Sequence, residues 1–301
     1  MDKTVSKVAV VAHSKKQLGG GLYELRELLA AEGVPDPLWY EVQKSKLAPK
    51  AARKAKDAGA ELVLVWGGDG TVQRCIDALA GSGVAIGILP AGTANLLANN
   101  LGVPIELEAS VRVALHGPRR SLDVGRINGE RFAVMAGTGF DALMIKDADR
   151  GLKDRFGRAA YVWTGARHVR SEPTKTKVSI DGRKWFNGDA SCVLVANVSD
   201  ITGGITAFEH ATPDDGQLDV AVVTADGVWQ WARTFTRAAF GHAEKSPHVQ
   251  MSTAHRIDVR LGRKLPYELD GGARPKTDRL KITIEAGAIS IAVPQVALAP
   301  V

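Results

Sequence analysis

Gly67-Gly68-Asp69-Gly70-Thr71 is the stretch of this chain whose residue types and spacing could do chemistry. Glycines let backbone N–H groups come close to a phosphate, because no Cβ stands in the way. The single carboxylate among them, Asp69, would repel that phosphate unless a divalent cation lay between the two. The combination reads as a site for a nucleoside triphosphate and magnesium. It is not a Walker A loop, since no Gly-Lys-Ser/Thr closes it. The plainer alternative is a strand–turn–helix junction with no ligand.

The elements that must position this loop are legible on both sides. Leu62-Val63-Leu64-Val65-Trp66 is an unbroken apolar run without alternation, the pattern of a parallel strand buried on both faces. Beyond the loop, Val72, Cys75, Ile76 and Leu79 recur at helical spacing, so Thr71 opens an amphipathic helix that Gly81 closes. Val84 to Leu89 predicts another buried strand, ended by Pro90, and Ala91-Gly92 gives a second close-approach loop. Thr93 is placed to cap a helix beginning near Ala94. Upstream, Val8 to Ala12 predicts a first buried strand, leading through Ser14 and Gly19-Gly20-Gly21 into a leucine-bearing helix. By the same logic Ser14 faces the nucleotide, unless its segment is only a polar loop. Strand ends that deliver Gly-Thr loops to one edge of a parallel sheet stand where open α/β sheets place ligands.

Gly67 to Thr71, followed by Pro90-Ala91-Gly92-Thr93-Ala94-Asn95-Leu96-Leu97-Ala98, resembles the diacylglycerol-kinase-type lipid kinases, which include sphingosine and bacterial diacylglycerol kinases. NAD kinases and phosphofructokinases share the first motif. Gly139-Phe140-Asp141-Ala142, Pro213-Asp214-Asp215-Gly216-Gln217-Leu218-Asp219-Val220 and Leu269-Asp270-Gly271 follow in the family's order and favour the lipid kinases. The resemblance implies an ATP-binding α/β domain over 1–120 and a β-rich antiparallel sandwich over 121–301, whose last strand is expected to return to the first domain. It implies magnesium-dependent transfer of the γ-phosphate of ATP to the hydroxyl of a lipid such as diacylglycerol. Gly67, Gly68, Gly70, Thr71, Gly92 and Thr93 would hold the phosphates, with Asn95 a partner for ribose or phosphate. Asp69 would organise the metal at the reacting phosphate. A structural magnesium would be held by the Asp215 side chain and by carbonyls at Thr212 and Gln217, since oxygen donors and water suit that ion.

Three departures from the family pattern stand out. Ala12-His13-Ser14-Lys15-Lys16 occupies the place of the usual Asn-Pro-x-Ser-Gly, and Gln73-Arg74 that of Asn-Glu. The glutamate that follows Asp-Gly near the C-terminus is Gly272 here. Asp270 is the candidate for assisting metal or hydroxyl in its stead: on an extended strand it would share a face with position 272. The alternative is a turn aspartate. Two other functions stay open: a kinase for a soluble acceptor such as NAD, and a nucleotide or lipid binder that has lost catalysis.

Composition sets the bounds. A chain of 301 residues suggests two domains, and about three quarters of its unfolded surface could be buried. At 45 % apolar and 24 % charged it is globular. Cys75 and Cys192, its two cysteines, fall in a helix and a strand pattern and read as inert core residues of a reducing, cytoplasmic compartment. The opening residues lack a signal peptide's apolar stretch, and the uncharged run 78–105 is broken by Pro90, three asparagines and several glycines. The net charge of +6 permits attraction to an anionic surface without identifying it. The expected partners are ATP and a lipid at a membrane surface, with peripheral association, no nucleic acid, and a homodimer left open.

Past Leu115 the pattern turns to short strands and tight turns. Asn128-Gly129 and Asp181-Gly182 are hairpin signals. Strands are expected at 131–136, 175–181, 190–198, 218–224, 255–261, 265–270, 280–285 and 288–293. Gly137 to Ala142 mimics a dinucleotide fingerprint but lacks its βαβ context, and reads better as a turn. The basic stretch from Lys44 to Lys56 is expected to be a solvated helix face. Two further helices, near 156–169 and 228–239, carry basic residues beside apolar stripes and read as core or as membrane contacts.

Overall fold

The computed structural model describes residues 7–139, 172–202, 205–239 and 246–295. The expected helix at 156–169 and residues 140–142 of the fingerprint-like stretch lie outside them. The chain forms two compact units, Met1–Leu122 with Gly287–Val301, and Asp123–Ala286. The first is α/β and the second is built on antiparallel strands, as the sequence predicts.

In the first unit the strands are β1 (Val8–His13), β2 (Leu38–Val42), β3 (Leu62–Gly67) and β4 (Ala85–Pro90). They run parallel in the order β4-β3-β1-β2, and Ser290 and Ile291 pair in parallel with Ala85 and Ile86 beyond β4. Every residue of β1 and β3 is buried, which explains their unbroken apolar sequence. The helices are α1 (Gly21–Ala31), α2 (Ala48–Asp57), α3 (Asp69–Leu79), α4 (Leu96–Asn100) and α5 (Leu107–His116). Leu25 and Leu29 of α1 and Val111 and Ala114 of α5 pack with Val10, Leu64 and Trp66 into one core. Gly87 lets α5 press on β4, because a Cβ there would stand 2.6 Å from the Ala114 Cβ. On α2, Ala48, Ala51, Ala52 and Ala55 are buried while Lys50, Arg53, Lys54 and Lys56 are exposed, a solvated basic face as expected.

The second unit contains part of β5 (Arg119–Ile127), then β6 (Glu130–Phe132), β7 (Met135–Thr138), β8 (Thr174–Ile180), β9 (Arg183–Ala190) and β10 (Cys192–Ala196). Next come the short β11 (Asp200–Thr202) and β12 (Ile205–Thr206), then β13 (Leu218–Val223), α6 (Gly227–Ala239), β14 (Val249–Ala254), β15 (Arg256–Leu269) and β16 (Gly272–Ala292). The antiparallel order is β14-β13-β10-β7-β15-β16. The long β15 takes β7 along Tyr267–Leu269 and β8 along Ile257–Leu261. The strands expected at 255–261 and 265–270 are thus one strand, with register shifts between Arg260 and Tyr267. Those at 280–285 and 288–293 are likewise one, passing Gly287 at φ 57°. Asn128-Gly129, Asp181-Gly182 and Asp270-Gly271 all carry positive φ at both positions, the mirror-image turn whose twist matches a hairpin.

Candidate active site

The carboxyl ends of β1, β3 and β4 lie side by side, with Ala12 opposite Trp66 and Gly67 opposite Pro90. Their loops are tied together. The Ala91 N–H donates to the Gly67 carbonyl at 3.0 Å, and the Trp66 indole N–H to the Lys16 carbonyl at 3.2 Å. A Cβ on Gly92 would lie 2.4 Å from the Gly68 Cα, so the two glycine loops meet backbone to backbone. Gly67 is needed for another reason: a Cβ there would strike the Thr71 side chain at 2.6 Å.

Asp69 begins α3 and reaches across to the second loop, where its carboxylate accepts the Leu96 N–H. Burial raises its pKa, while backbone N–H groups of Leu96, Asp69, Asn95 and Leu97 oppose the rise. The acid of the first loop therefore caps the helix that follows the second. Thr93 does not cap it, contrary to expectation: Thr93 is exposed, and α4 starts at Leu96 after Asn95 in a left-handed conformation, φ 47°. The Asn95 side chain closes its own loop. Its Oδ1 accepts the Gly92 N–H at 2.9 Å, and its Nδ2 donates to the carbonyls of Pro90 and Gly92.

Thr71 also differs from expectation. It is buried inside α3, with its hydroxyl 3.0 Å from that of Ser45, so helix packing engages it. Ser14 is exposed at the end of β1, where its N–H donates to the Val42 carbonyl at 3.0 Å. Of these residues the structure gathers Gly67, Gly68, Asp69, Gly92 and Asn95 into one contact network. Gly70, the second residue of α3, has room on its outer side, the nearest atom to a Cβ being Arg74 Nη1 at 3.4 Å.

Two residues of this edge escape a motif-based reading. Arg74 donates from Nη1 to the Gly70 carbonyl at 2.9 Å, laying a guanidinium along the first turn of α3. The signal for it was there, as a departure from the family pattern. His13, buried at the end of β1, has its pKa lowered by burial, with Lys16 and Lys15 adding to that fall and its own backbone opposing it.

In the second unit, Asp215 lies in the turn before β13, where its Oδ1 accepts the Gln217 N–H at 2.9 Å. Asp219 has its pKa raised to about 6, by burial first and then by the charge of Asp215, with His210 opposing. Asp123, which motif reading missed, is buried and joins the same turn: its Oδ2 accepts the Gly216 N–H and its N–H donates to Pro213, both at 2.7 Å. Asn197 donates to the carbonyls of Asp123 and Ala133, and its Oδ1 is buried with no partner among the described residues. Oxygen atoms dominate this turn, and a buried orphan acceptor needs a water or an ion. No group of three or more His, Cys, Asp or Glu side chains placed to share a metal occurs among the described residues. Carboxylate, carbonyl and water together are a donor set that suits magnesium.

Asp270 is not on an extended strand. It occupies the turn between β15 and β16 at φ 43°, so the alternation that would place it on the face of position 272 does not apply. The residue is buried, and its carboxylate accepts the N–H groups of Ala133, Val134 and Met135, each at 2.9 Å. Both oxygens are thus engaged with backbone. At Gly272 a Cβ would face the Arg274 guanidinium at 2.8 Å, and Arg274 is paired with Glu130. Cys75 and Cys192 are buried, and burial pushes both thiols up, Cys75 to about 12.

Residues 8–127 match the model of the diacylglycerol kinase catalytic domain, and residues 134–293 that of the YegS C-terminal NAD kinase beta sandwich-like domain. Diacylglycerol kinase of Bacillus subtilis (strain 168) is 31% identical over 74% of this chain and 75% of its own length. A Pseudomonas aeruginosa PAO1 protein named "Probable lipid kinase YegS-like" is 30% identical over 95% of this chain and 96% of its own. Among solved structures, a diacylglycerol kinase of Bacillus anthracis str. Sterne superposes with a TM-score of 0.73 at 21% identity, covering 97% of this chain and 98% of that one. An NAD kinase from Archaeoglobus fulgidus, solved with ATP, gives 0.55 at 12% identity over 96% and 94% of the two chains. At those identities the structural likeness speaks to fold alone.

Proposed function

The chain belongs to the diacylglycerol-kinase-type lipid kinases and is a phosphotransferase that uses ATP; on that premise we propose that it phosphorylates the hydroxyl of a membrane lipid such as diacylglycerol, with magnesium. The observation that carries the site assignment is the backbone contact of Gly68 with Gly92, bridged by Asp69. Two glycine loops at the carboxyl edge of a parallel sheet keep side chains out of the approach, and since Asn95 takes the Gly92 N–H, the N–H groups for a triphosphate come from the start of α3.

The residues take distinct roles on this reading. Thr71 and Val72 return their N–H groups to the Gly68 carbonyl, leaving the Gly70 N–H for a phosphate oxygen. Arg74 adds a guanidinium beside it, in a place where the family has an acid. Gly67 and Gly92 clear the approach, and Thr93, exposed on the second loop, offers its hydroxyl. Asn95 shapes that loop from within, and Thr71 anchors α3. Asp69 holds the loops together and presents a carboxylate whose raised pKa favours accepting a proton. Ser14 borders the same edge. Asp270 fixes the segment from Ala133 to Met135, acting through backbone.

Magnesium, when bound with ATP, would neutralise charge on the phosphates during transfer. A second ion would suit the turn of Asp215, with carbonyls of Thr212 and Gln217, where Asp123, Asp219 and the orphan Asn197 oxygen form the surroundings.

Incubation with γ-labelled ATP, magnesium and extracted lipids tests the reading. Label in an organic-phase product is expected. Label in NAD instead would overturn the lipid class, and tight ATP binding without any product would make the chain a nucleotide binder.

A further inference from the structure

The outer face of the sheet around β8 is strongly basic, and nothing in the nucleotide chemistry uses it. Lys175 and Lys177 alternate outward from β8, Lys184 from β9, and Arg256 and Arg260 from β15, all of them exposed. Register sets them together: Lys177 stands opposite Arg260, and Ser179 between Lys184 and Asp258. On β16, Arg279 opposes Arg260 and Lys281 opposes Asp258, extending the same face across a fourth strand. Asp258 is an acid set among these cations, and Arg279 pairs with it at 2.6 Å. Among the described residues Lys177 and Lys184 have no carboxylate partner. A cavity of about 590 Å³ opens here, lined by Lys177, Lys184, Arg256 and Arg260 together with Asp258 and Phe186.

Asp258 also pairs with Arg260 at 3.7 Å, and Asp189 stands opposite Lys175, so the charge left for an anionic surface is chiefly that of Lys177 and Lys184. Strands about 4.8 Å apart make four of them a broad platform rather than a ridge. A duplex groove admits a helix or a two-stranded ribbon, which a four-stranded face does not resemble. Phe186 alone among the described aromatic residues lines this cavity, short of the series of rings on which successive single-stranded bases stack. Trp185, half-buried on β9 at the sheet edge and packed against the core of this unit, is a residue type that favours a membrane interface. No helix among the described residues is long and apolar enough to cross a membrane.

We propose that the outward face of β8, β9 and β15 docks the protein on an anionic phospholipid bilayer, with the cavity between Lys177, Lys184 and Arg260 taking phosphate headgroups. The choice of a bilayer as occupant rests on the lipid-kinase reading; the charge of the face does not.

Co-sedimentation of the full chain with vesicles tests this. Phosphatidylcholine vesicles are compared with vesicles containing about 30 % phosphatidylglycerol, at low and high salt. Wild type is expected to partition onto the anionic vesicles and to be released by salt. The double variant K177E/K184E should lose at least about tenfold in partition, and K177Q/K184Q somewhat less. K50E/K54E, which alters the basic face of α2, should change it less than about twofold. Thermal melting of each variant establishes that it is folded, and turnover of diacylglycerol in neutral detergent micelles should be unaffected by the β8–β9 changes. Unchanged vesicle binding in K177E/K184E would overturn the proposal, as would binding of duplex DNA or inorganic phosphate by these lysines without vesicle binding. If no lipid is phosphorylated in any format, the lipid-kinase reading fails separately, and vesicle partition still decides the docking face.

Discussion

Gly92 approaches Gly68 so closely that a Cβ on Gly92 would stand 2.4 Å from the Gly68 Cα and 2.5 Å from the Asn95 Oδ1. The contact joins two loops from neighbouring strands, and it leaves no room for a side chain on Gly92 and little on Gly68, where a Cβ would stand 3.0 Å from the Gly92 Cα.

Gly92→Ala should therefore separate the loops. A melting temperature lower by several degrees and ATP affinity down by at least about tenfold are expected, because backbone cannot move aside as a flexible side chain can. Gly70→Ala is the contrast. Its Cβ would meet only the end of Arg74 at 3.4 Å, so the melting temperature should hold while ATP binding weakens through lost close approach. Calorimetric titration with ATP beside thermal melting distinguishes the two, and unaltered ATP affinity in Gly70→Ala would sink the phosphate-contact role of Gly70.

For Asp69, the amide and the deletion should differ. Asp69→Asn keeps an oxygen for the Leu96 N–H, so stability should fall by only about 1 kcal/mol, while turnover drops at least about 10²-fold. Asp69→Ala removes the cap as well and should cost about 2 kcal/mol. Near-wild-type turnover in the asparagine variant would remove Asp69 from the chemistry.

Asp270→Ala leaves three buried N–H groups without their acceptor, and about 3 kcal/mol or more of stability should be lost. At a temperature where the variant stays folded, kcat should remain within about tenfold of wild type. A fall of about 10²–10⁴-fold with unaltered melting would instead place Asp270 in the reaction.

Magnesium without nucleotide should raise the melting temperature of wild type, by relieving the repulsion between Asp215 and Asp219. Asp215→Asn should abolish that rise. A shift of the same size in the variant would show that the ion binds elsewhere.

His13 supplies a pH dependence. Its folded pKa lies below the ordinary histidine value of 6.5, so the unfolded chain binds more protons and the stabilising contribution is present above 6.5. That contribution is lost as pH falls through the folded value. Denaturant midpoints measured from pH 7.5 downward should fall more steeply for wild type than for His13→Gln, and parallel curves would refute the assignment.

Much of this protein is settled by its sequence alone. Unbroken Val and Leu runs in β1 and β3 mark strands buried on both faces, and the glycines mark the turns that follow the strands, because these signals are local. Asn128-Gly129 and Asp181-Gly182 mark hairpins because few other residues accept positive φ twice in succession. The tertiary structure decided what each polar side chain does. Thr71 pairs with Ser45, Asp69 caps a helix 27 positions downstream, and Asp270 binds amides more than 130 positions upstream. Asp123 and Asn197 join the acidic turn in the same way, from segments that no local motif connects. A hydrogen bond is set by distance in space, and chain spacing fixes that distance only within a turn or a helix. Beyond that range, packing of whole elements brings donor and acceptor together.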